Sequence, residues 1–167
     1  TGFTWNVTSG SGSVLTFGPV ADTFVDATNP TRNYGGRVVI RVNDDPIKHG
    51  LLKFTVSGVG SATVSSATLR LFVTDRSPDG GSVYQVADDT WQERTVTWND
   101  APAAGSLVGS IGPVAVGTWV EVDLTSYVTG DGTYSIRIQS ASTNGAAYSS
   151  KEATSGNGPQ LVVTLAP

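Results

Sequence analysis

Apolar and polar residues alternate with a period of two through most of this chain, and in five places the residue opposing the apolar set is a lysine or an arginine. Val38, Ile40 and Val42 oppose Arg41, and Leu52, Phe54 and Val56 oppose Lys53. Farther on, Leu69, Leu71 and Val73 oppose Arg70; Tyr134, Ile136 and Ile138 oppose Arg137; and Tyr148 opposes Lys151. Successive side chains of extended backbone point to opposite faces, so each row reads as a strand with one face buried. No window carries helical periodicity.

The expected fold is all-β, a two-sheet sandwich of jelly-roll type. Alternation predicts strands at Val20–Val25, Val38–Asn43, Leu51–Val56, Thr68–Asp75, Ser82–Ala87 and Arg94–Trp98, then at Leu107–Ile111, Trp119–Leu124, Thr133–Gln139, Ala146–Lys151 and Gln160–Leu165. Turn signals such as Asn29-Pro30, Asp45-Pro46, Pro78-Asp79-Gly80-Gly81 and Asn157-Gly158-Pro159 separate them. Long irregular connections favour jelly-roll winding over simple hairpins. One helical turn is expected at Thr125–Val128, with Thr125 as its cap. Residues 1–18 are expected to be a linker or an extra edge strand anchored by Phe3 and Trp5, because Ser9–Ser13 has linker composition, and residues 19–167 to be a single domain.

Composition narrows the function. The 167 residues include no cysteine, which excludes disulfides, thiolate metal sites and a cysteine nucleophile. Ten Lys and Arg against 14 Asp and Glu give a net charge of −4, which argues against nucleic acid as the partner. No stretch approaches the ~20 apolar residues of a membrane helix, so no membrane partner is expected. The first residues lack the layout of a signal peptide, and a secreted chain would be a processed piece of a larger multidomain protein, expected to be monomeric.

If the five strands share a sheet, Arg41, Lys53, Arg70, Arg137 and Lys151 converge on one cationic face of an acidic protein. Guanidinium forks and ammonium groups suit carboxylated or sulfated chains. The same charges also serve simply to keep strands from associating edge to edge. Tyr34, in the turn-rich run Arg32-Asn33-Tyr34-Gly35-Gly36, is the aromatic best placed to stack on a sugar, or else a loop anchor. Asp22, Asp26 and Asp123 are candidate oxygen ligands for a structural calcium, with the pairs Asp44-Asp45 and Asp88-Asp89 as competing candidates. Catalytic arrangements are thin: His49 is the single histidine, no Gly-x-Ser-x-Gly elbow is present, and Glu121 and Asp123 lie two apart on one strand, a spacing that arises by chance. No enzyme activity is expected.

Seven segments in order carry a resemblance. They are Ala21-Asp22-Thr23-Phe24-Val25, Asn33-Tyr34-Gly35-Gly36, Leu51-Leu52-Lys53-Phe54, Ala67-Thr68-Leu69-Arg70-Leu71, Trp91-Gln92-Glu93 with Val96-Thr97-Trp98-Asn99-Asp100-Ala101-Pro102, Ser149-Ser150-Lys151-Glu152 and Pro159-Gln160-Leu161. From Pro19 onward the chain resembles the DNRLRE-type domain, which includes the family 96 carbohydrate-binding modules. The resemblance implies a jelly-roll module of a secreted or cell-surface bacterial protein, with alginate as the ligand of characterised binders. Lys53, Arg70 and Lys151 match basic positions of the family, whereas Arg41 and Arg137 rest on alternation. The expected function is non-catalytic binding of an anionic, alginate-like polysaccharide. The alternative is a structural stalk or adhesin domain.

Overall fold

The computed structural model describes residues 12–167, and the anchoring expected of Phe3 and Trp5 lies outside the described residues. Eleven antiparallel strands follow one another: β1 (Val14–Phe17), β2 (Ala21–Asp26), β3 (Val39–Asp44), β4 (Ile47–Val56), β5 (Val64–Asp75), β6 (Gly81–Val86), β7 (Leu107–Ile111), β8 (Trp119–Asp123), β9 (Gly132–Gln139), β10 (Ala146–Ser149) and β11 (Gln160–Leu165). Hydrogen bonds link them in the order β1-β11-β5-β10-β3-β4-β9-β6-β7, with β2 on β4 and β8 on β5. The path turns over at the β3–β4 hairpin, where Asp44 pairs with Ile47. One layer then holds β1, β11, β5, β8, β10 and β3; the other holds β2, β4, β9, β6 and β7. The chain crosses between layers at most connections, which is the jelly-roll winding expected.

The alternating apolar residues meet between the layers. Ile40 and Val42 of β3, Leu69, Leu71 and Val73 of β5 and Leu161 and Val163 of β11 face Leu52 and Phe54 of β4 and Ile136 and Ile138 of β9 in one continuous core. Tyr148 is fully buried there, and its hydroxyl donates to the Gly80 carbonyl at 2.6 Å, as a phenol removed from water must find an acceptor.

Two local expectations are corrected. Arg94–Trp98 is not a strand: Gln92 carbonyl accepts from both Thr95 and Val96 N–H, and Trp98–Asp100 form a single 3-10 turn. Within residues 1–18, expected to be a linker or an extra edge strand, Val14–Phe17 pairs with Thr164–Leu161 of β11. The turn at Thr125 exists, but its cap is Asp123, whose carboxylate accepts from Thr125 N–H and Oγ1; Thr125 Oγ1 in turn accepts from Ala67 N–H.

The segment from Asp88 to Pro102 lies on the outer face of the second layer. Trp91 and Val96 are buried there against Ala21, Val25 and Leu51, with Trp98 and Ala101 alongside. Cations fasten it. Lys53 Nζ donates to the carbonyls of Asp89 at 2.7 Å and Trp91 at 2.5 Å and lies 4.6 Å over the Trp91 ring. Arg137, itself 8% exposed, donates to the Pro102 carbonyl at 2.6 Å and to His49 Nδ1 from Nε and Nη2 at 3.1 and 2.8 Å. Trp98 covers both, 5.2 Å from the His49 ring and 5.6 Å from the guanidinium.

Two predictions follow from this clamp. Lys53→Met keeps the apolar stem but strips two buried carbonyls of their donor, which costs about 1–3 kcal/mol of unfolding free energy in urea melts. His49 is held to about 4, below its ordinary 6.5, by burial and then by the Arg137 charge. The unfolded chain therefore takes up the proton first, and the contribution of neutral His49, complete above pH 6.5, is lost as pH falls toward 4. His49→Asn, whose amide oxygen can accept from Arg137, lacks this loss. Between pH 7 and 4.5 the stability difference between wild type and variant should move by about 1–2 kcal/mol in the variant's favour, a value reduced for the ring's partial access to solvent.

Candidate functional site

Strand β2 ends on Asp26, which points inward and is 3% exposed. A carboxylate at such depth must be surrounded by donors. Its Oδ1 accepts from Thr28 N–H at 3.0 Å and Thr28 Oγ1 at 2.6 Å, and its Oδ2 from Asn29 Nδ2 and the Tyr34 hydroxyl, both at 3.2 Å. Lys48 Nζ of β4 completes the shell at 3.3 Å. Burial alone would raise the acid, but the Thr28 and Asn29 donors and the Lys48 charge hold it at about 2. Asp26 thus stays ionised and pins Tyr34 and Lys48 side by side. Burial and the Asp26 charge push the Tyr34 hydroxyl up, so it remains a donor.

Tyr34 lies against Phe24 with ring centroids 4.3 Å apart, and the Arg32 guanidinium sits 5.3 Å from the Tyr34 centroid. The turn carrying Tyr34 is stapled to the Asp88–Pro102 segment: Asn33 Nδ2 donates to the carbonyls of Glu93 at 2.8 Å and Val96 at 2.7 Å. A side chain at Gly35 would collide with the Glu93 backbone carbonyl, so the close approach requires glycine.

Beside this turn opens a cleft of about 510 Å³ lined by Phe24, Tyr34, Arg37, Val38, Val39, Arg41 and Lys48. A second depression of about 260 Å³ shares Arg41 and Lys48 and continues to Asn43, Asp75 and Asn144. Arg32, Arg37 and Arg41 are exposed. Four of the chain's ten basic residues therefore gather around one aromatic-floored groove.

The five cations expected on one face are divided. Arg41 and Arg70 lie on the outer face of the first layer, Lys53 and Arg137 on that of the second, and Lys151 in the turn after β10. Arg41 and Tyr34 line the cleft. Arg70 is engaged by Glu121 at 3.0 Å and Gln160 at 2.8 Å and lies 4.7 Å from the Trp119 ring centroid. Lys53 and Arg137 hold the covering segment. For Arg41, Lys53, Arg70 and Arg137 alternation gave the outward side correctly, but it cannot show what covers that side; Lys151 lies beyond the end of its expected strand, Ala146–Lys151, which stops at Ser149. Arg32, Arg37 and Lys48 went unnoticed because turns and a hairpin carry them. The signal available was Arg32 and Arg37 flanking the Tyr34 turn.

The three candidate metal ligands are not brought together either. Asp26 serves the cleft, and Asp123, exposed on β8, caps the turn that follows it. Asp22, 1% exposed, meets Glu93 and Glu152 instead, with one oxygen of each lying within 4.8 Å of the others. Burial pushes Asp22 up to about 8 against the Lys151 N–H that favours its carboxylate, and Glu152 and Glu93 add to the rise. Neither Glu93 nor Glu152 was singled out as a ligand, although both lie in segments that carry the family resemblance. As for catalysis, His49 is enclosed by Arg137 and Trp98, and Glu121 and Asp123 turn to different partners.

No curated protein matches the chain at a significant level. The model of carbohydrate-binding module family 96 matches residues 13–165, from the residue before β1 to the end of β11. With that match running through every strand of the sandwich, the chain belongs to carbohydrate-binding module family 96.

Proposed function

We propose that this carbohydrate-binding module takes an acidic polysaccharide of the alginate type along the cleft beside β3, without catalysing any change in it. The observation that carries this reading is the gathering of Arg32, Arg37, Arg41 and Lys48 around Tyr34 in a protein whose net charge is −4. A uronate polymer repeats its carboxylates at short intervals, and guanidinium groups on a groove rim accept them in bidentate pairs. Tyr34 and Phe24, 8% and 4% exposed, form the fixed base of the cleft, and the exposed Val38 adds an apolar surface on its wall. The groove is open along the first layer, as an internal stretch of polymer requires. The expected setting is a secreted or cell-surface bacterial protein of several domains, in which a neighbouring domain does the chemistry.

Each exposed ion pair is worth only about 0.2–1 kcal/mol, so affinity comes from several acting together. In affinity electrophoresis through alginate, Arg41→Ala should weaken retardation by roughly 2–5-fold. The triple change of Arg32, Arg37 and Arg41 to Ala should abolish it with the melting temperature unaltered, because all three are exposed. Arg70→Ala should leave retardation unchanged, since Arg70 is already engaged. Retention should fall steeply with added salt, as exposed charges are screened over about 8 Å at physiological ionic strength. A triple variant that still binds with the same salt dependence would defeat this reading and leave the stalk or adhesin reading in its place.

Homogeneous protein incubated with alginate or pectate should release neither reducing ends nor unsaturated uronates above a buffer blank. β-Elimination needs a positioned base together with a group that neutralises the carboxylate, and the cleft is lined by three cations, Phe24, Val38, Val39 and a Tyr34 whose hydroxyl is committed to Asp26. Product formation that persists through repeated purification would refute non-catalytic binding.

A further inference from the structure

Away from the cleft, Asp22, Glu93 and Glu152 converge from three distant parts of the chain: β2, the covering segment and the turn after β10. Most of their oxygens have partners. Glu93 Oε1 accepts from Asp22 N–H at 2.9 Å and pairs with Lys151 Nζ at 3.1 Å, while Oε2 faces Arg94 Nε at 3.4 Å. Glu152 Oε1 meets Lys151 Nζ at 3.0 Å and Arg94 Nη2 at 3.7 Å. Asp22 Oδ2 accepts from Lys151 N–H at 2.8 Å. Two oxygens, Asp22 Oδ1 and Glu152 Oε2, are buried with no hydrogen-bond donor.

Orphaned buried carboxylate oxygens are costly, and here one belongs to a side chain 1% exposed that faces two further acids. Oxygens bound to one calcium lie on a sphere of radius about 2.3–2.6 Å, so no two can be more than about 5 Å apart. The observed 4.8 Å limit satisfies this. Lys151 and Arg94 match the charges of Glu93 and Glu152 and leave Asp22 without a cation of its own, and both reach the cluster from its outer side, with side chains 31% and 64% exposed. Either can swing away without disturbing the core.

We propose that Asp22, Glu93 and Glu152 form a divalent-cation site of the calcium type, in which the ion takes the two orphaned oxygens and displaces the Lys151 ammonium toward solvent. The ion would join β2, the covering segment and the turn after β10. The same Glu93 carbonyl anchors Asn33, so loading the site also stiffens the turn that carries Tyr34.

The test uses the whole chain freed of ions by chelator, with calcium alone as the probe and no polysaccharide present, so its result is independent of the cleft reading. Titration calorimetry should show one saturable site, and saturating calcium should raise Tm by several degrees through mass action. Asp22→Asn should abolish both effects. Without calcium, however, that variant should be at least as stable as the wild type, because its neutral amide replaces a carboxyl that burial and two neighbouring acids already disfavour in its charged form, and it adds a donor beside those acids; the order of stability should reverse when calcium is added. Glu152→Gln, at a less buried position, should weaken binding at least 10-fold and serves if Asp22→Asn does not fold. Lys151→Ala should tighten binding severalfold by removing the competing ammonium, whereas Asp123→Asn should leave it unchanged. A wild type with no calcium heat and no calcium-dependent Tm, or a Lys151→Ala chain that is destabilised and not rescued by calcium, would overturn the site and leave Lys151 as the permanent counter-ion.

Discussion

Strand β2 has no face open to solvent, and the surroundings of the cleft answer to that constraint. All six of its residues are buried. Ala21, Thr23 and Val25 point outward, where the Asp88–Pro102 segment covers them; Asp22, Phe24 and Asp26 point inward. A strand that presents two carboxylates to a core must bring partners to both. Asp26 receives donors from its own following turn, from Tyr34 and from Lys48, and those contacts build the wall of the cleft. Asp22 receives one backbone donor and two neighbouring acids, and the imbalance left there is the basis of the proposed cation site. Phe24, between them, carries Tyr34 on its ring.

The basic residues divide by what covers them. Lys53 and Arg137 lie under a segment that presents backbone carbonyls and tryptophan rings, so their charge is taken up by carbonyl dipoles and π faces rather than by carboxylates. Removing such a cation would leave buried acceptors unpaired, which makes these two residues structural. Arg32 and Arg37, in the connection between β2 and β3, and Arg41 of β3 are exposed, with no segment among the described residues lying over them. An overall acidic chain thus presents a local cationic groove.

The Asp88–Pro102 segment joins the two ends of this logic. Trp91 and Val96 fill the outer pocket over β2 and β4, Glu93 supplies both a side chain to the acidic cluster and a carbonyl to Asn33, and Pro102 accepts from Arg137. Its alternation of Arg94, Thr95, Val96, Thr97 and Trp98 imitates a strand. It is not one because Trp91 and Val96 anchor it as a loop on the outer face of β2 and β4, and its own Gln92 carbonyl takes the Thr95 and Val96 N–H groups.

By itself the sequence determined the all-β class, ten of the eleven strands and the inward set of the five strands whose apolar residues oppose a cation, because a period of two follows from extended backbone and one buried face. It also supplied the ordered segments that resemble the family, and it named Arg41 and Tyr34, both of which line the cleft. It did not determine which outward faces meet water. Lys53 and Arg41 are indistinguishable in their local patterns, each a cation between apolar neighbours; one is covered by residues 36 to 38 positions away, and the other borders an open groove. The meeting of Asp22 with Glu93 and Glu152, 71 and 130 positions farther along the chain, is of the same kind. Strand pairing and loop packing decide such encounters, since they depend on which layer each strand joins, and nothing in a local run of residues encodes that choice.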